Sequence, residues 1–155
     1  MKKVKVLILS IFSIIALLAL VLYLKAKLYT DIQIKEDTSL IKKIELQVGN
    51  STYLDLNTIT DFQWDKVHIV TPYSQLKTVF EKNNIKPVNI NGSIETNDGI
   101  NLILFTLNNN IVAYVNLPRK IADFPSLESK IFDKSKAKFN LTKDKNEVKL
   151  IPNKQ

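Results

Sequence analysis

Nineteen consecutive residues without a charge, Val6 to Leu24, stand between lysines near the start of this chain. An α-helix rises about 1.5 Å per residue, so the run is roughly 28 Å long, close to the hydrocarbon thickness of a bilayer. It predicts an N-terminal transmembrane helix within residues 1–28, followed by one domain over 29–155. Lys2, Lys3 and Lys5 precede the run, and Lys25 and Lys27 follow it. A first helix behind a basic N-terminus ordinarily leaves that end in the cytoplasm, which places the domain outside, on a single-pass anchor in the cell membrane. A cleaved signal peptide is the rival reading. Its apolar region would be about 7–15 residues long and end in a small-x-small site. The nearest match, Leu17-Leu18-Ala19, has leucine where a small residue is required, so an uncleaved signal anchor is the expectation.

Setting the anchor aside changes the charge balance. Five of the 22 basic residues flank it, leaving 17 against 15 acidic residues for the domain. That near-neutral balance removes the argument for a nucleic-acid partner, which rests on a basic folded surface. The excess is local: eight lysines between Lys130 and Gln155 face only Asp133, Asp144 and Glu147. A lysine-rich C-terminal hairpin of this kind reads as solvated, with weak contact to anionic lipid headgroups or to an acidic partner as the alternative. The chain contains no cysteine, so the domain must be held by packing alone.

Hydropathy patterning predicts an α+β fold, a mainly antiparallel sheet with one or two helices packed on it. Lys42 to Val48 alternates, with Ile44, Leu46 and Val48 on one side, and reads as a strand with one wet face. Asn50 to Asp61 reads as loop or short edge structure. Lys66 to Thr71 is β-branched and ends at Pro72, a strand signal. Ser74 is placed to cap a helix carrying Leu76, Val79 and Phe80. Val88 to Glu95 leads through Asn97-Asp98-Gly99 into Ile100 to Leu107, and Asn108-Asn109-Asn110 turns the chain into Ile111 to Leu117. Ile100 to Leu107 is apolar on nearly both sides, as a central covered strand should be. Phe124, Leu127, Ile131 and Phe132 predict a short helix. A final hairpin pairs Lys136 to Thr142 with Glu147 to Ile151.

Several chemistries lack their residues. His68 is the sole histidine, so two-histidine zinc motifs are out of reach. Glycine occurs only at 49, 92 and 99, which excludes a P-loop and a dinucleotide fingerprint. No cofactor, metal site or catalytic set is expected. His68 is predicted on the less buried face of its strand. Asp61 and Asp65, near Trp64, keep a carboxylate pair for glycoside cleavage as an alternative, since spatial pairs are invisible in sequence.

The most distinctive stretch is Phe62 to Tyr73, FQWDKVHIVTPY. In extended chain Phe62 and Trp64 share a side. One reading makes Trp64 and Tyr73 staples of loop, strand and helix, with Asp65 and Lys66 capping or pairing nearby. The other makes Phe62, Trp64, Asp65, Lys66 and Tyr73 a recognition surface, because Trp and Tyr often dominate binding energy. The pattern Phe-x-Trp-Asp-Lys-Val-x-Ile-x-x-Pro-Tyr resembles one that recurs in small bacterial lipoproteins and single-pass exported proteins, a family with no assigned activity. The likeness covers Leu56 to about Asn84. This chain departs from it in lacking a lipobox cysteine and in carrying His68 where an aromatic is common. The resemblance implies an exported α+β domain and carries over no catalytic residue.

Together these features predict a membrane-anchored, extracytoplasmic, non-catalytic protein-binding module that presents a sheet face to a protein partner. The most specific version is an inhibitor or immunity protein acting against an exported toxin or envelope enzyme. The alternatives are an envelope-assembly or sensory accessory, and a small cell-wall or lipid hydrolase using a carboxylate pair.

Overall fold

The computed structural model describes residues 2–30, 33–125, 128–144 and 147–153, with side chains described over 11–25 of the first helix and from 34 onward. Helix α1 (Lys2–Thr30) is 29 residues long, or about 43 Å at helical rise. The domain that follows contains β1 (Gln33–Ile34), α2 (Thr38–Asn50), β2 (Tyr53–Asp55), α3 (Leu56–Ile59), β3 (Lys66–Val70), α4 (Leu76–Lys82), β4 (Asn89–Ile90), β5 (Ile100–Leu107), β6 (Asn110–Pro118), β7 (Lys130–Asp133), β8 (Lys138–Asp144) and β9 (Glu147–Pro152). Short 3₁₀ turns lie at Ser93–Glu95 and Lys134–Lys136.

A four-stranded antiparallel sheet in the order β6-β5-β3-β7 forms the middle layer. Strand alternation divides its side chains between two cores. Val67, Ile69, Ile103, Phe105, Val115 and Leu117 face a core completed by α2 and by the sheet β2-β8-β9. Val70, Leu102, Leu104 and Tyr114 face a second core, closed by Phe80 of α4, Ile90 of β4 and Ile94. β4 pairs in parallel with β1. The α+β class and the dominance of antiparallel pairing agree with the sequence pattern. β5 is buried over six consecutive residues, as its two-sided apolar character requires.

The β5–β6 turn shows how local chemistry sets the register. Asn108 and Asn109 adopt φ of 51° and 62°. Asparagine tolerates this left-handed region, and two such residues in succession give the primed turn that matches strand twist. Asp65 holds the turn from outside: its Oδ2 accepts from Asn108 N at 2.9 Å, and its own N–H donates to Thr106 O at 2.8 Å. The extra residue of a bulge between Phe105 and Thr106 is taken up by Val112, 37% exposed.

Four expectations are corrected. Lys42 to Val48 lies within α2 rather than a strand. Leu40, Ile44 and Val48, four residues apart, are buried, whereas Leu46 is 65% exposed. The start of α2 is fixed by Asp37, whose Oδ1 accepts from Ser39 N and Leu40 N at 3.1 and 3.2 Å. The helix expected around Phe124 to Phe132 is replaced at 130–133 by β7, which pairs with β3; Leu127 lies outside the described residues. Of Val88 to Glu95 only Asn89–Ile90 is strand, and it pairs with β1 rather than folding back onto β5. The residue preceding α4 is Gln75, not Ser74, and the cap comes from afar: Glu95 Oε1 accepts from Leu76 N at 2.8 Å. The expectation of one sheet is also too simple, since the strands divide into three. Among the described residues no helix is long and apolar enough to cross a membrane.

The helical assignment of α2 has a direct test in stability measurements. Ile44→Ala should cost about 2–4 kcal/mol, and Leu46→Ala less than about 0.5 kcal/mol. A strand with 44 and 46 on one buried face would make both costly, so equal losses in denaturant melts would overturn the assignment.

Candidate functional site

The five residues singled out in the sequence are drawn to different places. Trp64 is buried, with its ring edge-on to Phe105 at 5.1 Å, and Phe62 meets the same ring at 5.2 Å. Trp64 Nε1 donates to Thr60 Oγ1 at 2.9 Å, and the Lys134 ammonium sits 5.2 Å from the indole centroid. Phe62 and Trp64 do share a side, and that side is core. Asp65 is occupied by the β5–β6 turn, and Lys66 is exposed at the start of β3. Tyr73 lies beyond the other end of β3, 64% exposed, with φ of 63° and its N–H donating to Ile94 O at 2.7 Å. Five strand residues separate it from Trp64 and Asp65, roughly 16 Å of extended chain. These residues do not converge on one surface.

A trough of about 600 Å³ lies instead between α4 and β7, over the β3 side chains His68 and Val70. Thr78, Val79 and Lys82 of α4 form one wall and Ile131 of β7 the other. The arrangement follows from the register. Leu104, His68 and Ile131 stand side by side across β5, β3 and β7. Leu104 is fully buried in the second core, whereas Ile131 is 46% exposed. At one end, hydroxyls tie the loops together: Thr71 N donates to Ser129 Oγ at 3.3 Å, and Ser74 Oγ is 3.3 Å from Ser129 Oγ.

His68 differs from expectation. Alternation places it on the less buried face, yet it is only 4% exposed, because β3 is covered on both sides. Nε2 is 3.2 Å from Thr106 Oγ1, and Nδ1 is enclosed without a partner. Burial pushes its pKa down to about 4, helped by the positive charge of Lys66 and opposed by Asp65. The ring is therefore neutral at physiological pH.

Several acidic side chains have structural partners. Asp61 Oδ2 accepts from Lys43 Nζ at 3.0 Å, a bond that holds its carboxyl below the usual range. Burial pushes Asp123 upward, but bonds from Arg119 Nε and Nη2 (each 2.8 Å) and from Asn101 Nδ2 (2.8 Å) outweigh it and leave its pKa lowered. Among the described residues no three His, Asp or Glu side chains gather as a metal site would need. The arrangement is suited to binding: a half-open trough floored by His68 and Val70, with hydroxyls at one end and lysines at its rim. Sequence reasoning missed it because one wall, β7, was read as helix.

The buried neutral histidine predicts a pH signature. Its folded pKa lies below the unfolded value of 6.5, so the unfolded state binds the extra proton. Stability should be constant with respect to this group well above pH 6.5 and fall as pH drops towards 4, by about 3 kcal/mol in all. Urea melts between pH 6.5 and 5 would read the slope before ordinary carboxylates contribute. His68→Gln should flatten it, and an unchanged slope in that variant would assign the effect to another group.

Comparison of the chain with family models, with curated proteins and with solved structures finds no match.

Proposed function

We propose that this protein is a membrane-tethered, non-catalytic module that binds a protein partner outside the cytoplasmic membrane, with α1 as tether and the trough beside α4 as contact surface. The observation that carries the tether is the character of α1. Its described side chains include eleven large hydrophobics, from Ile11 to Leu24, each 46–71% exposed and distributed all round the helix. A helix that is apolar on every side needs an apolar surrounding. The described side chains cover only part of that length; in the sequence the uncharged run continues from Val6 to Leu24, roughly 28 Å of helix, which supports the tether reading.

The binding reading rests on the trough and on the engagement of the carboxylates. Of the two acids that kept the hydrolase alternative open, Asp61 is held by Lys43 and Asp65 by the β5–β6 turn. Inhibitor or immunity action and envelope assembly differ only in which partner is bound, and both use the same tethered surface.

The tagged full chain should sediment with bacterial membranes, resist carbonate washing and require detergent for release. Protease added to spheroplasts should remove the domain. Leu17→Arg with Leu18→Arg, each about 2.5–3.5 kcal/mol unfavourable mid-bilayer, should move most of the protein to the supernatant. Wild-type protein in the supernatant, or a domain shielded from protease, would refute the tether or its orientation. Cross-linking in detergent should yield a stoichiometric protein partner, captured at least tenfold less by Thr78→Trp, which fills the trough.

A further inference from the structure

The two larger sheets of this domain have four outer edges, and among the described residues three are occupied. Along β6, Asp37 N donates to Tyr114 O at 2.9 Å and Asn116 N donates to Glu36 Oε1 at 2.9 Å. Along β9, Asp123 N donates to Val148 O at 2.8 Å and Leu150 N to Asp123 O at 2.7 Å. On the short β2, Asp55 N donates to Gln47 Oε1 at 3.2 Å. β7 pairs with β3 on one side, and among the described residues no strand or side chain bonds its other side. An uncovered edge is a template for another chain, and folds normally blunt it. Four residues with a lysine at the start is one way of blunting an edge. A hollow on each face of the strand is not part of that device.

Both hollows are present. The trough lies on the Ile131 face of β7. On the opposite face a cavity of about 210 Å³ is walled by Ile69, Phe124, Phe132, Leu150 and Pro152. Glu128 and Lys130 border both, so the two hollows meet around the free edge. Successive side chains of a strand point to opposite faces. A strand laid beside β7 would therefore send one side chain into the apolar cavity and the next over the trough. The trough carries Lys82 and Lys130, neither of which has an ion pair among the described residues; Glu128 already holds an interaction of its own.

We infer that the free edge of β7 takes an extended segment of the partner protein as an added strand, with apolar side chains directed to the Phe124–Phe132 cavity and acidic ones to the Lys82–Lys130 rim. This rests on the binding reading above and specifies its mode. Main-chain hydrogen bonds supply affinity, and the two hollows supply alternating specificity. The charge at the rim selects an acidic segment over a basic one.

The test uses the full chain in detergent micelles and a synthetic probe, an acetylated and amidated hexapeptide Thr-Leu-Glu-Leu-Glu-Thr. Amide chemical shifts of residues 128–133 should move on titration, with slowed hydrogen exchange along β7. N-methylation of the probe's backbone should weaken binding at least tenfold, as should replacing its glutamates with lysine. Lys82→Glu with Lys130→Glu should reverse the preference in favour of the lysine probe, an outcome that a misfolded variant cannot produce. Equal binding of N-methylated and plain probes, or shifts confined to residues away from β7, would overturn strand addition. The cross-linked partner separates the two levels. A partner captured undiminished by the double variant sinks this inference alone, whereas failure to capture any partner sinks the binding reading beneath it.

Discussion

Burial of β5 on both faces is the constraint on which the rest of the domain depends. Ile103 and Phe105 point into one core, Leu102 and Leu104 into the other, and all four are fully enclosed. A slip of one residue would exchange the two sets and present each core with side chains shaped for the other. The register is held at the hairpin end, where Asn108 and Asn109 supply the left-handed turn and Asp65 bonds it from the neighbouring segment. The bulge at Val112 lets a two-residue turn coexist with the alternation that the cores demand. Phe62 and Trp64 then close on Phe105 edge to face, each such aromatic pair contributing about 0.5–1.5 kcal/mol beyond its buried area.

Where the sequence pattern has one period, the structure mostly agrees with it, Val88 to Glu95 being the exception. β3, β5, β6 and the β8–β9 hairpin stand where alternation and turn residues put them. Where two periods coincide, the pattern misleads. Ile44 and Val48 belong equally to an alternating run with Leu46 and to a four-residue stripe with Leu40. The choice is made by Asp37, which caps two backbone N–H groups and starts the helix upstream. Phe124, Ile131 and Phe132 carry helical spacing, yet they belong to separate surfaces. Phe124 and Phe132 each meet Phe139 edge-on, at 5.2 and 5.1 Å, and Ile131 faces the trough. The α2 case turns on a local cap just upstream of the run, whereas the β7 case is distinguished only by its long-range pairing with β3, which a local window does not contain.

The candidate site was the least legible part for the same reason. Its floor, His68 and Val70, was visible as strand, but its walls come from α4 and β7, which only the tertiary fold brings together. The aromatic-rich segment Phe62 to Tyr73 attracted attention by composition. Its aromatics serve two ends of β3 and opposite environments, Trp64 enclosed and Tyr73 in solvent. His68 was assigned by simple alternation from Lys66, a rule that holds for a sheet with one wet face and fails once α4 and the second core cover the other.

Two-sided coverage also limits how a partner can be met. The expectation of a presented sheet face assumed a single sheet with one free side. In the four-stranded sheet both faces are spent on cores apart from the trough beside α4, and the outer face of the three-stranded sheet sets Tyr53, Asn140 and Ile151 side by side, with the Lys138 ammonium over the Tyr53 ring. What remains of the middle layer is its rim. There the backbone itself is the available recognition element, and side-chain specificity has to come from hollows on either flank of an edge strand. β7 is the edge at which those conditions coincide, because the covers that close β6, β9 and β2 come from residues 36–37, 123 and 47, none of which lies against it. The lysines that make the C-terminal quarter basic include Lys130 at this edge. A charge excess that reads in sequence as solvated hairpin thus becomes, at this position, a selector for acidic strands.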